Sequence, residues 1–189
     1  MYLFFDTETT GLPRNWKAPV TDTKNWPRMI QIAWVYTDAA GAVIDRCSYI
    51  IKPEGFTIPN AASKVHRIST ERAISEGSEL SSVLKEFNDL INETKFLVAH
   101  NISFDEKIVG AEFIRKNIST QLFEKSKLCT MQASTDFCRI PGLYGYKWPK
   151  LSELHYTLFG EEFEEAHDAA ADINATVRSF WEMKKRGII

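Results

Sequence analysis

Cysteine is scarce in this chain and poorly placed for structural chemistry. Cys47, Cys129 and Cys138 are an odd number, widely spaced and without a CxxC pair. Neither a disulfide framework nor a zinc site is indicated, and reduced thiols in a cytoplasmic protein are expected. No basic segment followed by a long apolar run opens the sequence, and no later run is long enough to span a bilayer. No secretory signal and no membrane contact are therefore expected. An excess of positive charge is missing as well: 23 Lys and Arg stand against 25 Asp and Glu, a net charge of −2. A protein that coats DNA or RNA electrostatically needs more than that. An enzyme whose positive charge arrives as bound metal does not. Repeats and low-complexity segments are also absent. What remains is an ordinary globular composition, 44% hydrophobic and 25% charged over 189 residues. That suffices for a single domain, 1–189, with a real core.

The chain opens with Tyr2-Leu-Phe-Phe-Asp6-Thr-Glu8-Thr-Thr-Gly11. Four apolar residues read as a strand buried on both faces. Strand side chains alternate, so Asp6 and Glu8 emerge side by side at its end. Like charges that close repel unless a positive charge lies between them. A divalent cation is the simplest such partner, and all-oxygen ligands favour Mg²⁺ or Mn²⁺ over zinc. The plainer reading is a solvated strand end entering a polar turn.

Pro13 to Arg28 is a loop by its proline and asparagine content, and it holds Trp16 and Trp26. Packing of both indoles on the domain is expected slightly ahead of a role as a lid. Met29–Thr37 and Ala42–Ile51 form a hairpin that extends the first strand into a meander. A short helix and turn cover Pro59 to Ser69. Ser78–Glu93 reads as an amphipathic helix through Leu80, Val83, Leu84, Phe87, Leu90 and Ile91. A strand at 95–99 leads to a helix from Ser103, where Ser103 and Glu106 fit a capping box. Its apolar face uses Ile108 and Ala111, joined by Val109 and Ile114. A strand at 128–131, helices at 132–138 and 149–159, and a last helix capped by Asp168 complete the chain. This order describes an α/β fold, a mixed sheet flanked by helices.

Two further acids follow strand ends or helix starts. Asp105 falls in the first turn of its helix, where the helix dipole alone can account for it; open α/β sheets also place ligands there. His167 and Asp172 are five residues apart, about 140° around a helix. His167 is therefore expected on a loop before the helix and Asp172 within it. That pairing suits a general base working on a metal-bound water, while a surface histidine is the plainer alternative.

Taken together, Phe5-Asp-Thr-Glu-Thr-Thr-Gly-Leu12, His100-Asn101-Ile-Ser-Phe104-Asp105, and His167 followed by Asp172 resemble the DEDDh-type, DnaQ-like 3′→5′ exonucleases. These are the family of the proofreading ε subunit of bacterial DNA polymerase III and of ribonuclease T. The resemblance implies a ribonuclease H-like, mixed five-stranded sheet flanked by helices. It also implies two-metal phosphodiester hydrolysis with two divalent cations, Mg²⁺ or Mn²⁺. Asp6 would bridge the cations, Glu8 and Asp172 would complete one site and Asp105 would support the other. His167 would take the proton from the attacking water. Thr9, Leu12, His66, Asn101 and Phe104 would hold the substrate, Leu12 wedging between bases and Phe104 stacking on one; core packing is the alternative for these last two.

The expected activity is 3′→5′ hydrolysis of single-stranded or frayed 3′ ends, releasing nucleoside 5′-monophosphates. DNA is favoured by the wording of the first motif. An RNA or short-oligonucleotide exonuclease would keep the same acids, and a catalytically silent module binding nucleic acid or a polymerase is the competing class. Both a stand-alone nuclease and a partner of a DNA polymerase fit the sequence. Two departures from the family stand out. Val65-His66-Arg67-Ile68-Ser69 carries Arg67 where Val-His-Gly-Ile-Thr has glycine, and the 13–28 segment is longer than usual. Rings and cations interleave from Tyr144 to Lys150, which suits a single strand, although packing is the commoner fate of such a loop.

Overall fold

In the computed structural model, which describes residues 1–161 and 169–189, the apolar run after Met1 forms the central strand β1 (Tyr2–Thr9). Strand β2 (Met29–Thr37) runs antiparallel to it, and β3 (Val43–Ile50) antiparallel to β2. The turn between them is closed by Asp38, whose Oδ1 accepts from Ala40 N and Ala42 N. Helices α1 (Asn60–His66), α2 (Thr70–Glu76) and α3 (Leu80–Glu93) follow. Strand β4 (Phe96–Ala99) pairs parallel with β1, and after α4 (Ile102–Arg115) strand β5 (Ser126–Cys129) pairs parallel with β4. The sheet order is β3-β2-β1-β4-β5. Two one-turn helices, α5 (Thr130–Ala133) and α6 (Thr135–Cys138), lead to a small hairpin, β6 (Pro141–Gly142) and β7 (Gly145–Tyr146). Helices α7 (Leu151–Phe159) and α8 (Ala169–Lys185) complete the fold.

Alternation along β1 builds two core layers. Leu3 and Phe5 join one cluster with Phe87 and Ile91 of α3 and Ile108 of α4. Phe4 joins the other with Ile173 and Phe180 of α8, its ring meeting Phe180 edge-on at 5.0 Å. Each fully buried aromatic contributes roughly 1.5–3 kcal/mol, so the strand is clamped from both sides. Because β1, β4 and β5 are parallel, their C-terminal ends share one edge of the sheet. That edge receives the acids.

The structure departs from the sequence reading at several element boundaries. Helix α4 starts at Ile102, and its cap is Asn101 in the left-handed conformation (φ 72). Ser103 and Glu106 form no capping box there: Ser103 Oγ donates to Asn101 Oδ1, and Glu106 pairs with Lys127 at 2.8 Å. Asn tolerates left-handed backbone, which relieves the helix start of a serine cap. Ile114 is 38% exposed, while Gly110, Glu112 and Phe113 are buried. Helix α4 is covered by the 13–28 segment as well as the sheet, so its buried surface is wider than one stripe. Strand β5 sits two residues earlier than 128–131. The helix at 132–138 is broken at Ser134, whose Oγ donates to Thr130 O at 2.7 Å, a local bond that competes with helix continuation. The proposed Asp168 cap lies outside the described residues.

Candidate active site

Asp6 and Glu8 share the face of β1 that Phe4 turns to α8, as alternation requires. Asp172 reaches the same place from the first turn of α8. Carboxylate oxygens of Asp6, Glu8 and Asp172 all lie within 4.8 Å of one another, and all three residues are half-buried. Two oxygens held ~2.1 Å from one Mg²⁺ are at most about 4.2 Å apart, so small adjustments bring all three onto a shared ion. The donor set is all oxygen, the chemistry hard divalent cations require. Asp45, Cys47 and Glu86 come equally close on β3 and α3. There Trp34 Nε1 donates to Asp45 (2.9 Å) and Tyr49 Oη to Glu86 (3.0 Å), so hydrogen bonds explain the cluster.

Asp105 arrives from the opposite face. It is 3% exposed, and its Oδ1 accepts from Thr7 N at 3.0 Å and Thr7 Oγ1 at 2.7 Å. Thr7, between the two acids of the strand, faces α4 by the same alternation that turns Asp6 and Glu8 away from it. Burial pushes the Asp105 carboxyl up to about 7; the Thr7 bonds pull it down and the Asp172 charge adds to the rise. A cation beside these acids would offset both effects.

The residues expected at the substrate are distributed around this edge. Thr9 Oγ1 donates to Gly11 O at 2.7 Å, and Gly11 takes φ 147, so the chain turns sharply and leaves Leu12 73% exposed. Core packing is thereby excluded for Leu12. Phe104 is half-buried against the core, with its ring 5.7 Å from that of Trp16. The two tryptophans of the loop divide: Trp26 is buried and donates to Pro19 O, whereas Trp16 stays half-exposed. His66 is buried, its Nδ1 accepts from Ile68 N, and its Nε2 has no well-aligned partner. Burial lowers its pKa, which the nearby Thr9 backbone partly offsets. Asn101 caps α4 beside Phe104. Arg67 is the left-handed C-cap of α1, at φ 60, with its N–H on Ser63 O. Glycine suits that backbone best, which accounts for its place in the family pattern. His167 lies outside the described residues.

His100 ties the end of β4 to the loop before α7. Its Nε2 lies 3.0 Å from Pro149 O, which can only accept, so Nδ1, 3.0 Å from Thr130 Oγ1, takes the acceptor role. This is a neutral imidazole, and burial holds its pKa down at about 4 against the Pro149 carbonyl. As pH falls below about 6.5, the unfolded chain binds a proton here that the folded one refuses until about 4. Stability is lost over that window, by roughly 3 kcal/mol at its lower end. Asp105, with a raised pKa, acts in the opposite sense, so the check is a difference between proteins. Urea unfolding of wild type and His100→Gln at pH 8 and pH 4.5 should show the wild-type advantage shrinking by about 2–3 kcal/mol on acidification. A constant advantage would contradict the neutral assignment.

Comparison with known proteins identifies the family and the fold. Residues 3–180 match the family model described as Exonuclease (RNase_T). No curated protein matches the chain. Among solved structures, E. coli Exonuclease I in complex with a dA16 oligonucleotide superposes with a TM-score of 0.76 at 21% identity, covering 98% of this chain and 41% of that one. Its zinc-bound complex with single-stranded DNA gives 0.77 at 22%, covering 98% and 40%. Its complex with dT13 gives 0.77 at 21%, covering 98% and 41%. The chain thus spans about two fifths of the length of these structures, and at this identity the likeness is one of fold: a ribonuclease H-like mixed sheet with flanking helices. Among the described residues no helix is long and apolar enough to cross a membrane. Since the family match runs from the strand that carries Asp6 and Glu8 into the helix that carries Asp172, this chain belongs to the exonuclease family, in its DnaQ-like branch.

Proposed function

We propose that residues 1–189 form one metal-dependent 3′→5′ exonuclease domain. It hydrolyses single-stranded or frayed 3′ ends, with DNA favoured, and releases nucleoside 5′-monophosphates. The observation that carries this reading is the convergence of Asp6, Glu8 and Asp172 from a strand and a distant helix. The single-stranded oligonucleotides bound by the structurally similar Exonuclease I support the substrate class. Asp6, Glu8 and Asp172 would hold divalent cations, two in number and either Mg²⁺ or Mn²⁺, with Asp105 supporting the second. Bound there, such cations stabilise charge on the attacking and leaving oxygens of the phosphodiester.

The chain's own residues do the rest. Burial of β1 fixes the carboxylates of Asp6 and Glu8, and Thr7 locks Asp105, so little reorganisation is needed at the moment of reaction. His167 accepts the proton of the attacking water. Leu12, exposed at the turn after Thr9, and the paired rings of Phe104 and Trp16 offer apolar surfaces to the terminal bases. His66, buried beside the Thr9 backbone, would support the turn that receives the terminal nucleotide, and Asn101 would meet the strand from the start of α4.

Matched single-stranded DNA and RNA, labelled at the 5′ or the 3′ end, test the whole assignment with Mg²⁺, Mn²⁺ or chelator. The expected result is a metal-dependent ladder from the 5′ label and immediate release of the 3′ label as mononucleotide, faster on DNA. Release of the 5′ label first would reverse the polarity. No cleavage by well-folded protein would reduce the site to a binding module.

A further inference from the structure

The segment Arg139-Ile-Pro-Gly-Leu-Tyr-Gly-Tyr-Lys-Trp-Pro-Lys150 inverts the composition of the rest of the chain. It carries three cations and no carboxylate in a protein of net charge −2. It folds into the β6–β7 hairpin, with Pro141 opposite Tyr146 and Gly142 opposite Gly145. Leu143 and Tyr144 form its tip and are 94% and 102% exposed; Tyr146 and Trp148 are 51% and 60% exposed. Packing, the ordinary fate of an aromatic loop, does not account for them.

The stem is held firmly even though the tip is bare. Lys147 N donates to Ile140 O, Lys147 Nζ pairs with Glu153 at 2.6 Å, and Lys150 N donates to the same carboxylate. Pro149 O accepts from His100, the residue directly after β4. The hairpin is thus anchored at the β4 side of the edge where β1 delivers its acids. Leu12, Trp16 and Phe104 belong to the β1 and α4 side of that edge. Exposed rings on a rigid stem, cations without acids between them, and attachment to the catalytic edge fit one occupant. That occupant is a single nucleic-acid strand whose bases stack on the rings while its phosphates meet Lys150 and Arg139.

We propose that the 139–150 hairpin is a second stacking platform, which binds the single strand upstream of the 3′ end without regard to base identity. This rests on the exonuclease reading above and adds a length preference to it: a strand long enough to reach the hairpin is held better than a dinucleotide. A protein partner on the same surface is the competing occupant.

The test uses the full chain carrying Tyr144→Ser and Trp148→Ser, both at exposed positions. The measured quantity is the ratio of kcat/KM on a strand of roughly 12 nucleotides to that on a dinucleotide. The ratio is expected to fall by about tenfold. An equal loss on both substrates, or no loss on either, overturns the platform. A second arm needs no hydrolysis: anisotropy of the labelled strand in chelator should show binding weakened by about tenfold in the same variant. Lys150→Gln should make the slope of log K against log salt shallower by about 0.7. Binding and slope equal to wild type, or no strand binding by wild type, overturn the proposal and leave the surface to a protein. A hydrolysis failure combined with weakened variant binding would instead sink the exonuclease reading and spare the platform.

Discussion

Asp6→Asn should lower kcat by at least about a thousandfold, some 4 kcal/mol of transition-state stabilisation, in a protein that remains folded. Asp6 lies on the central strand of the sheet and shares the close set with Glu8 and Asp172. Asparagine keeps the shape and one acceptor oxygen but removes a charge that a divalent cation needs. The companion measurement is thermal unfolding with and without Mn²⁺. Cation at roughly a hundred times its Kd stabilises wild type by about 2.7 kcal/mol, or roughly 5–10 °C in Tm for a chain of this size. Asp6→Asn should show less than half of that rise. Undiminished turnover, or an unaltered Mn²⁺ response, would remove Asp6 from the site.

The acids of the first motif were legible because strand alternation is a local rule. A buried run followed by D-x-E places two carboxylates on one face wherever the strand goes. The same rule identifies Thr7 as the residue facing away, although nothing local says that it meets Asp105, 98 positions later. That contact depends on β4 pairing parallel with β1, which brings the start of α4 to the same edge. Helix α3 was legible for a similar reason: five of its six apolar-face residues are fully buried, and its pattern needs no partner to be seen.

Features set by what covers an element were not legible. Helix α4 reads as a one-sided helix, yet the 13–28 segment closes over it and buries Glu112 along with its apolar neighbours. Trp16 and Trp26 occupy one loop, and composition cannot tell the indole that donates to Pro19 O from the one left beside Phe104. Arg67 hides a left-handed backbone that only glycine would have announced. The rings of the 139–150 hairpin read as packing candidates and are bare, because their stem satisfies itself through Glu153 and His100.

Glu112 carries the last prediction. It is 0% exposed, and its Oε1 accepts from Arg28 Nε at 2.8 Å and Met29 N at 3.0 Å, with Arg115 Nη1 also at 2.8 Å. Arg115 in turn donates through Nη2 to the carbonyls of Thr23 and Trp26. Arg28 exchanges two hydrogen bonds with Thr10, one of them between backbones. One buried carboxylate therefore fixes both ends of the segment that carries Leu12 and Trp16. Glu112→Ala leaves two arginines without their counter-charge and should cost about 3–5 kcal/mol, a drop of roughly 6–20 °C in Tm. Glu112→Gln, which keeps the acceptor, should lose less. Below its unfolding temperature Glu112→Ala should raise KM for single strands more than it lowers kcat, because the acids on β1 are held independently by the sheet. A loss confined to kcat would show instead that the segment positions the carboxylates themselves, and a drop of under about 2 °C in Tm would deny the network its structural role.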